Sequence, residues 1–469
     1  MSAEVPSAAR EGVLAELETR FGPRASRNPT VRAQHGRGEA WHPAMPPELV
    51  IWPESTAEVA EVLARCHEAR VPVVPFGAGT SLEGHVLAPE GGVCLDLSRM
   101  DRILAVQVED MDAVVQPGVT RRRLEEHLRD SGLFFPVDPG ADATLGGMAA
   151  TRATGTTTVR YGGMRENVLA LEVVLPGGRV LRTGTRARKS AAGYDLTRLF
   201  LGSEGTLGVI TELTLRLWPR PERTAAAVCA FPSVEAAVDA VVETVATGIP
   251  VARIELLDEL QMRACIDFAR LDDLAPVPTL FYEFHGSEAS VREQAELAGE
   301  IARAHGGTAF RWATRPEEMR RLWRARHDAF YAAKALRPGA EPWVTDVCVP
   351  VSRLPEQIRA ARADLHQLGM PATILGHVGD GNFHVILLVD PRAEEEWARV
   401  RAFNARLVER ALAAEGTCTG EHGVGLGKKV WLARELGPEA VAAMRALKRA
   451  LDPHGIMNPG KIVDPDGAA

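Results

Sequence analysis

Residues 376 to 384 read GHVGDGNFH, and this stretch decides how we interpret the rest of the chain. It lies between two apolar runs that read as buried strands, and its Asp380-Gly381 dipeptide is typical of a two-residue hairpin turn. A turn with those two residues at its tip pairs His377 with His384 on one face of the hairpin, with Cβ atoms roughly 5 Å apart. The spacing predicts that both imidazoles reach one divalent cation once a further ligand arrives. Two ordinary histidines at the mouth of a hairpin are the alternative.

A candidate third ligand lies in GTCTGEHGVGLGKK, residues 416 to 429, where Glu421 and His422 are adjacent. Neighbouring residues of a regular strand point to opposite faces, but five glycines between 416 and 427 argue against a regular strand. Glu421 can then complete a site of two histidines and one carboxylate while His422 faces a substrate. Such a site keeps open coordination positions, which suits catalysis. A solvated glycine-rich loop is the alternative.

The bulk composition narrows the class of protein. A chain of 469 residues with 46% hydrophobic and 25% charged residues is globular and long enough for two or three domains. The net charge of −8, with no basic block longer than 121–123, argues against a nucleic-acid partner. The six cysteines contain no CxxC pair, so we expect thiols in a reducing compartment rather than a cluster or a disulfide framework.

The N-terminal sequence and the hydropathy lead to a prediction of location. The opening MSAEVPSAAREG lacks the charged-then-apolar plan of a signal peptide, and Glu4, Glu11, Glu16 and Glu18 are unlike a mitochondrial presequence. No apolar run approaches the roughly 20 residues that a membrane span needs. We therefore predict a cytoplasmic protein and leave peripheral membrane association open.

The first half alternates strand and helix signals and contains a glycine-rich loop. A strand near 71–75 leads into FGAGTSLEGH, residues 76–85, where glycines let backbone amides approach a diphosphate. The dinucleotide fingerprint is not satisfied because Leu82 stands where its third glycine belongs, and the P-loop pattern also fails. A nicotinamide site and an ATP site are thus disfavoured, and a tight structural turn is the alternative to diphosphate binding.

After Pro221 the pattern becomes that of an α+β domain with an antiparallel sheet, to which the histidine hairpin belongs. The segment RLWRARHDAFY, residues 321–331, concentrates three arginines and a histidine on one predicted helix of an acidic protein. The planar fork of an arginine can hold a carboxylate in a bidentate pair. A solvated basic face is the alternative.

Six motifs follow one another in an order that resembles a known family. They are PFGAGTSLEGH, PVDPGADATLGG, GSEGTLGVITE, GHVGDGNFHVILLVDP, GTCTGEHGVGLGK and LDPHGIMNPGK. The set is similar to that of the flavin-dependent D-2-hydroxyacid dehydrogenases of the vanillyl-alcohol-oxidase type. The resemblance implies an α+β fold in which a two-part FAD-binding domain carries a second α+β cap domain built on an antiparallel sheet. We expect an N-terminal helix and extended segment at 1–45, the FAD-binding domain at 46–221, the substrate and metal-binding cap at 222–450, and a C-terminal return to the FAD domain at 451–469.

The resemblance also implies the residues of the cofactor site. The FAD diphosphate would be cradled by Pro75, Phe76, Gly77, Ala78, Gly79, Thr80, Ser81 and Leu82. The flavin envelope would further include Asp138, Thr144, Gly147, Gly155, Thr156, Glu204, Ile210 and, in the C-terminal return, Asn458. No covalent flavin bond is implied. Arg326 matches the arginine that holds the substrate carboxylate, and with His422 as general base it forms the expected catalytic pair.

The implied activity is the oxidation of a D-2-hydroxy acid such as D-lactate to its 2-oxo acid, with FAD and a divalent metal held by His377, His384 and Glu421. Zinc is favoured, and manganese and iron suit the same ligands. The apolar Val344 and Ile386 favour a short or hydrophobic substrate. Electrons would pass to cytochrome c or a quinone, and a homodimer is left open. The alternatives are a glycolate-oxidase-like flavoprotein subunit, a metal-dependent hydrolase and a non-catalytic binding protein.

Overall fold

The computed structural model describes residues 7–39, 41–271, 273–465 and 467, which form two compact units. The first unit comprises Met1–Thr154, Gly163–Arg220 and Glu421–Ala469, and the second comprises Gly155–Gly162 and Pro221–Gly420. This division differs from the expected cap at 222–450, because residues 421–450 pack within the first unit. The reason is an apolar cluster in which Leu432 and Val441, on two successive helices, meet Val463.

The first unit contains a mixed sheet and an antiparallel sheet. The mixed sheet runs in the order Ala25–Ser26, Leu49–Ile51, Val93–Asp96, Val73–Phe76, and its last three strands are parallel. The antiparallel sheet runs in the order Ile103–Gln107, Asp112–Val115, Val209–Arg216, Val168–Val174, Val180–Arg182. A short ladder joins Leu133–Phe134 to Trp218–Pro219. The helices are Ser7–Phe21, Pro29–His35, Thr56–Glu68, Arg121–His127, Leu145–Thr151, Met164–Asn167, Leu196–Phe200, Lys429–Leu436 and Pro438–Leu451.

The helix Thr56–Glu68 illustrates how the sequence produces these elements. It begins after an N-terminal cap, where Ser55 Oγ accepts a hydrogen bond from the Glu58 N–H at 3.3 Å. Its buried residues repeat at the spacing of one helical face: Val59, Val62, Leu63 and Cys66. That face packs in one apolar core with the strands of the mixed sheet. The core thereby fixes the strand Val73–Phe76, whose carboxyl end leads into the glycine-rich loop.

The second unit is built on a large antiparallel sheet, as predicted. Its strands run in the order Thr308–Ala313, Arg223–Ala230, Thr279–Gly286, Val251–Leu257, Ala372–Gly376, Asn382–Val389, Glu341–Val344, and Val347–Cys348 also pairs with Asn382–Val389. The helices are Thr158–Tyr161, Val234–Ala246, Glu259–Ala269, Glu288–Ala304, Pro316–His327, Ala329–Ala335, Leu354–Leu368 and Glu394–Ala413. Among the described residues, no helix combines the length and the apolar composition that crossing a membrane requires.

Candidate functional site

The histidine hairpin of the second unit differs from the prediction in its register. Its two strands pair so that Leu375, and not His377, lies opposite His384. The predicted two-residue turn is wrong, because residues 378–380 form a 3₁₀ turn that Gly381 ends in the left-handed conformation, with φ 80°. The wider turn still brings the two imidazoles together, with ring centroids 5.6 Å apart and ring planes at 84°.

Both imidazoles are buried and held through Nδ1. The Nδ1 of His377 lies 2.7 Å from Glu255 Oε1, and the Nδ1 of His384 lies 2.9 Å from the carbonyl oxygen of Thr345. Because each Nδ1 faces an acceptor, each ring carries its proton there, and Nε2 has the lone pair that a cation requires. The ligand atoms of the two histidines lie within 4.8 Å of each other. The pair therefore suits two adjacent positions around one metal ion.

Asp346 lies beside the histidine pair and was not predicted from the sequence. Its Oδ1 is 3.9 Å from His384 Nδ1 and accepts a hydrogen bond from Asn382 Nδ2 at 2.8 Å. Its Oδ2 accepts one from the Thr419 hydroxyl at 2.8 Å. A Cβ on Gly420 would overlap the Asn382 amide, so only glycine fits there. Asp346 and Asn382 thereby fix the last residues of the second unit beside the histidines.

A buried glutamate joins Arg326 to the histidine pair. Glu255 has a fully buried side chain, and its Oε2 accepts a hydrogen bond from Arg326 Nε at 2.7 Å while its Oε1 faces His377. This bond engages only Nε, so the two terminal amino groups of Arg326 still offer a planar fork to a carboxylate. Glu255 was not predicted from the sequence. Its only local signal is one acidic residue within the otherwise apolar run 254–257.

The two apolar residues expected beside the substrate belong to the core instead. Val344 pairs with Ile386 across the edge of the sheet. Ile386 is 2% exposed and lies in an apolar cluster against which Val344 packs. Their apolar character follows from packing, so it carries no information on the substrate side chain.

In the first unit, Glu421 and His422 begin the returning segment, which is held at two points. Thr154 Oγ1 donates a hydrogen bond to Glu421 Oε2 at 3.0 Å. The Glu204 carboxylate accepts the backbone N–H groups of residues 424–425 at 2.7 and 2.9 Å. The His422 Nε2 lies 3.7 Å from Glu421 Oε1. Glu421 and His422 therefore lie on a short loop that hydrogen bonds to Thr154 and to the Glu204 carboxylate hold in place.

Glu204 is an ionised anchor inside the first unit. Burial alone would raise the pKa of its carboxyl, but the charge and hydrogen bond of His85 and the N–H groups of residues 424–425 outweigh burial and lower the pKa of Glu204. The His85 Nε2 lies 3.3 Å from Glu204 Oε1. Glu204, which was predicted to lie near the flavin, thus binds the backbone N–H groups of residues 424–425.

The predicted diphosphate loop lies directly against Thr144. A Cβ on Gly77 would overlap the Thr144 hydroxyl, which also accepts a hydrogen bond from the Gly147 N–H at 3.3 Å. Gly79 has φ 71°, a conformation that glycine adopts without steric cost. Gly77, Thr144 and Gly147, all predicted for the flavin site, therefore meet at the glycine-rich loop, the predicted diphosphate cradle.

Asn458 returns to the same part of the first unit from the C-terminal motif. Its N–H donates to the Val73 carbonyl at 2.8 Å, and its Nδ2 donates to the carbonyls of His85 and Glu204 at 3.1 and 2.6 Å. Within the described residues, its Oδ1 and the Oγ of Ser81 are buried without a hydrogen-bond partner. Buried polar atoms require partners, so these atoms and the glycine cradle fit a polar ligand of the kind that FAD is.

The other predicted flavin residues lie on several elements. Pro75 and Phe76 end the strand Val73–Phe76, Ala78, Thr80 and Leu82 belong to the loop after it, Asp138 precedes the helix Leu145–Thr151, and Ile210 lies in Val209–Arg216. Ile210 is part of an apolar core cluster, so it can contribute packing only. Gly155 and Thr156 belong to the second unit.

Comparison with known families assigns both halves of the chain. Residues 47–184 match the model described as FAD binding domain, and residues 220–462 match the model described as FAD linked oxidases, C-terminal domain. The chain therefore belongs to the FAD-linked oxidases, and it is an FAD-dependent oxidoreductase. This membership rules out the metal-dependent hydrolase and the non-catalytic binding protein that the sequence left as alternatives.

Individual relatives are similar over most of the chain. It is 54% identical over 437 residues to a Danio rerio protein named probable D-lactate dehydrogenase, mitochondrial, covering 92% of this chain and 88% of the relative. It is 48% identical to an Arabidopsis thaliana protein named D-lactate dehydrogenase [cytochrome], mitochondrial, covering 97% and 80%. It is 36% identical to the glycolate oxidase subunit GlcD of Bacillus subtilis, covering 90% of each chain.

Solved structures confirm the predicted fold class. The chain superposes on p-cresol methylhydroxylase with a TM-score of 0.80 at 18% identity, covering 99% of both chains. It superposes on 4-ethylphenol oxidase from Gulosibacter chungangensis with a TM-score of 0.79 at 18% identity, again covering 99% of both. Identities this low establish the fold alone.

The prediction of a cytoplasmic location is wrong. The names of the relatives from Danio rerio, Arabidopsis thaliana and Saccharomyces cerevisiae all include the word mitochondrial. The prediction rested on the first residues of the chain, and the names of these relatives overturn it.

Proposed function

We propose that this protein oxidises D-lactate or a similar D-2-hydroxy acid to the 2-oxo acid and passes the electrons to a cytochrome. The names of two relatives support the substrate, and one of them favours a cytochrome over a quinone. The observation that carries the proposal is the buried pair of His377 and His384, linked through Glu255 to Arg326. The cation ligands of the hairpin and the carboxylate-binding fork on the helix Pro316–His327 are thereby joined through one buried carboxylate of the sheet.

The proposed metal ligands are the two hairpin histidines, His377 and His384, and the carboxylate of Glu421. The course of the chain supports Glu421, because Gly420 immediately before it packs against Asn382 beside the histidines. Both histidines have Nδ1 held by an acceptor, the arrangement usual for metal-binding imidazoles. Two histidines and one carboxylate suit zinc, manganese or iron.

Asp346 is the rival carboxylate ligand, beside His384. It is less favourable because both carboxylate oxygens of Asp346 already accept hydrogen bonds, from Asn382 and from Thr419. In the preferred set His422 is left to act as a base.

The proposed reaction removes the hydroxyl proton of the substrate and its C2 hydrogen as a hydride. When bound, FAD accepts a hydride and a divalent cation lowers the pKa of a neighbouring hydroxyl group. Arg326 binds the substrate carboxylate through its two terminal amino groups and so orients C2. His422 takes the hydroxyl proton on a ring nitrogen as general base. The 2-oxo acid leaves with two electrons fewer than the hydroxy acid.

The visible spectrum of the purified protein tests this function directly. We expect a flavin spectrum that is bleached by anaerobic D-lactate and not by L-lactate at the same concentration. A colourless preparation, or a flavin that both enantiomers leave oxidised, would contradict the proposal.

The proposed FAD site, with residues 75–82 as diphosphate cradle, predicts a specific effect of Gly77→Ala. The added methyl group overlaps the Thr144 hydroxyl, so the cradle must shift and FAD affinity should fall by about tenfold or more. Flavin released on dilution measures the loss. Gly140→Ala is the matched control, because a Cβ there meets no atom within 4 Å, and it should keep the parent flavin content.

A glycolate-oxidising flavoprotein subunit is a second candidate. It is favoured by the relatives from Bacillus subtilis and Escherichia coli K12, at 36% and 34% identity, that are named glycolate oxidase subunit GlcD. The ratio of flavin reduction rates with glycolate and with D-lactate distinguishes the two, and faster reduction by glycolate would favour the subunit. Membrane association and a homodimer remain predictions.

A further inference from the structure

Glu255 is placed to serve two partners at once. The strands Val251–Leu257 and Ala372–Gly376 are antiparallel, with Leu256 opposite Gly376, so the next residue pair outward is Glu255 and His377. The carboxylate lies between a guanidinium and an imidazole, 2.7 Å from each. Its side chain is fully buried, whereas those of Arg326 and His377 are 14% and 10% exposed. One carboxylate therefore contacts both neighbours through separate oxygens.

We propose that Glu255 is a positioning residue that holds His377 in its cation-binding tautomer and Arg326 in its carboxylate-binding orientation. This inference rests on the proposed function, because it takes His377 as a metal ligand and Arg326 as the substrate anchor. In this role Glu255 acts through its two neighbours and is not itself a ligand of the cation or the substrate. It acts by keeping the proton of His377 on Nδ1 and by engaging the guanidinium through Nε alone.

The chain contains a second bridge of the same chemistry that serves as a control. Glu283, on the adjacent strand Thr279–Gly286, accepts hydrogen bonds from Arg253 Nη1 at 3.3 Å and from His285 Nε2 at 2.8 Å. The other nitrogen of His285 is engaged by the Tyr161 hydroxyl at 2.7 Å. Both nitrogens of that histidine thus have partners, so this buried bridge has no place for a cation.

Glu255→Gln distinguishes positioning from simple support of the sheet. Glutamine offers one acceptor oxygen to two donors, and the charged Arg326 should take it. The amide N–H group then faces His377 Nδ1 and favours the tautomer with the proton on Nε2, which cannot bind a cation. We expect Zn²⁺ affinity, measured by competition with a chelator, to fall by about 10- to 100-fold, with FAD content unchanged.

Binding of the substrate carboxylate by Arg326 is measured separately with 2-hydroxy-2-methylpropanoate, which has no hydrogen on C2 and cannot be oxidised. Its dissociation constant, from the perturbation of the flavin spectrum, should rise in Glu255→Gln. Glu283→Gln should keep the parent values for Zn²⁺ and for this analogue. If Glu255→Gln does not fold, the double variant Glu255→Leu with Arg326→Met removes the pair without a buried lone charge and should also lose Zn²⁺ affinity.

The outcomes distinguish a failure of the positioning role of Glu255 from a failure of the proposed ligand set. His377→Ala measured in parallel should lose Zn²⁺, and retention there would refute the proposed ligand set itself. If His377→Ala loses Zn²⁺ while Glu255→Gln binds it as tightly as the parent, the positioning role of Glu255 is overturned and the ligand set stands. Equal losses in Glu255→Gln and Glu283→Gln would also overturn it, since they would indicate general damage to the sheet.

Discussion

Replacing His422 by alanine is expected to slow the reduction of the flavin by D-lactate by about 10²- to 10⁴-fold, the usual contribution of a general base. The reason is that the substrate hydroxyl then loses its proton to water instead of to a ring held on an anchored loop. FAD and metal contents should be unchanged, because neither cofactor is assigned to this imidazole. Anaerobic stopped-flow absorbance measures the rate, and metal analysis of the same preparation measures the occupancy.

His67→Ala is the control for this experiment, because His67 lies near the end of a helix of the same unit, outside the proposed site. It should reduce at the parent rate. A parent rate in His422→Ala would remove His422 as the base. Loss of metal from that variant would indicate that His422 is a metal ligand and not the base.

Replacing His377 by alanine is expected to have the largest effect on metal content. Loss of one of three protein ligands should weaken binding by more than the roughly 100-fold that an outer-shell change can cause. The purified variant should therefore contain only background metal, retain FAD and fail to be reduced by D-lactate. Metal per chain is measured by atomic absorption, and flavin per chain by its visible absorbance after denaturation.

His285→Ala is the matched control on the same sheet. His285 is equally buried, but its two nitrogens are engaged by Tyr161 and Glu283. This variant is expected to lose stability because it leaves buried groups without partners, yet to keep its metal. Full metal occupancy in His377→Ala would exclude His377 as a metal ligand.

Local sequence was sufficient to predict the elements that carry the candidate site. His377 and His384 are seven residues apart around a turn. Glu421 and His422 were predicted because they are neighbours in a glycine-rich segment. The register of the histidine hairpin could not be predicted from the sequence, because Asp380-Gly381 is compatible both with a two-residue turn and with the 3₁₀ turn that forms. The error moved the pairing by two residues, which keeps each side chain on its original face.

Contacts between distant strands were the part that sequence could not provide. Glu255 and His377 are 122 residues apart, and they meet because the strands Val251–Leu257 and Ala372–Gly376 are neighbours in the sheet. Strand order is set by the packing of the whole sheet, and no local pattern encodes it. The same limit explains Ile386, whose apolar character was attributed to a substrate although it serves the core.

The prediction that Asn458 belongs to the flavin region depended on the family resemblance carried by the order of motifs and not on periodicity. The structure brings Asn458 back to Val73, at the edge of the mixed sheet, and beside the backbone of His85 and Glu204. Asn458 lies 385 positions after Val73, so no pattern within a window of sequence could have indicated this contact.

The central claim is that a cation held by the histidine pair is needed for a D-2-hydroxy acid to reduce the flavin. The most direct test is an anaerobic D-lactate titration of three preparations: the protein as purified, the protein stripped by a chelator with its FAD retained, and the stripped protein resupplied with Zn²⁺ or Mn²⁺. We predict rapid bleaching in the first, none on the same time scale in the second, and recovery in the third. Bleaching of the stripped protein at the rate of the untreated one would contradict the claim.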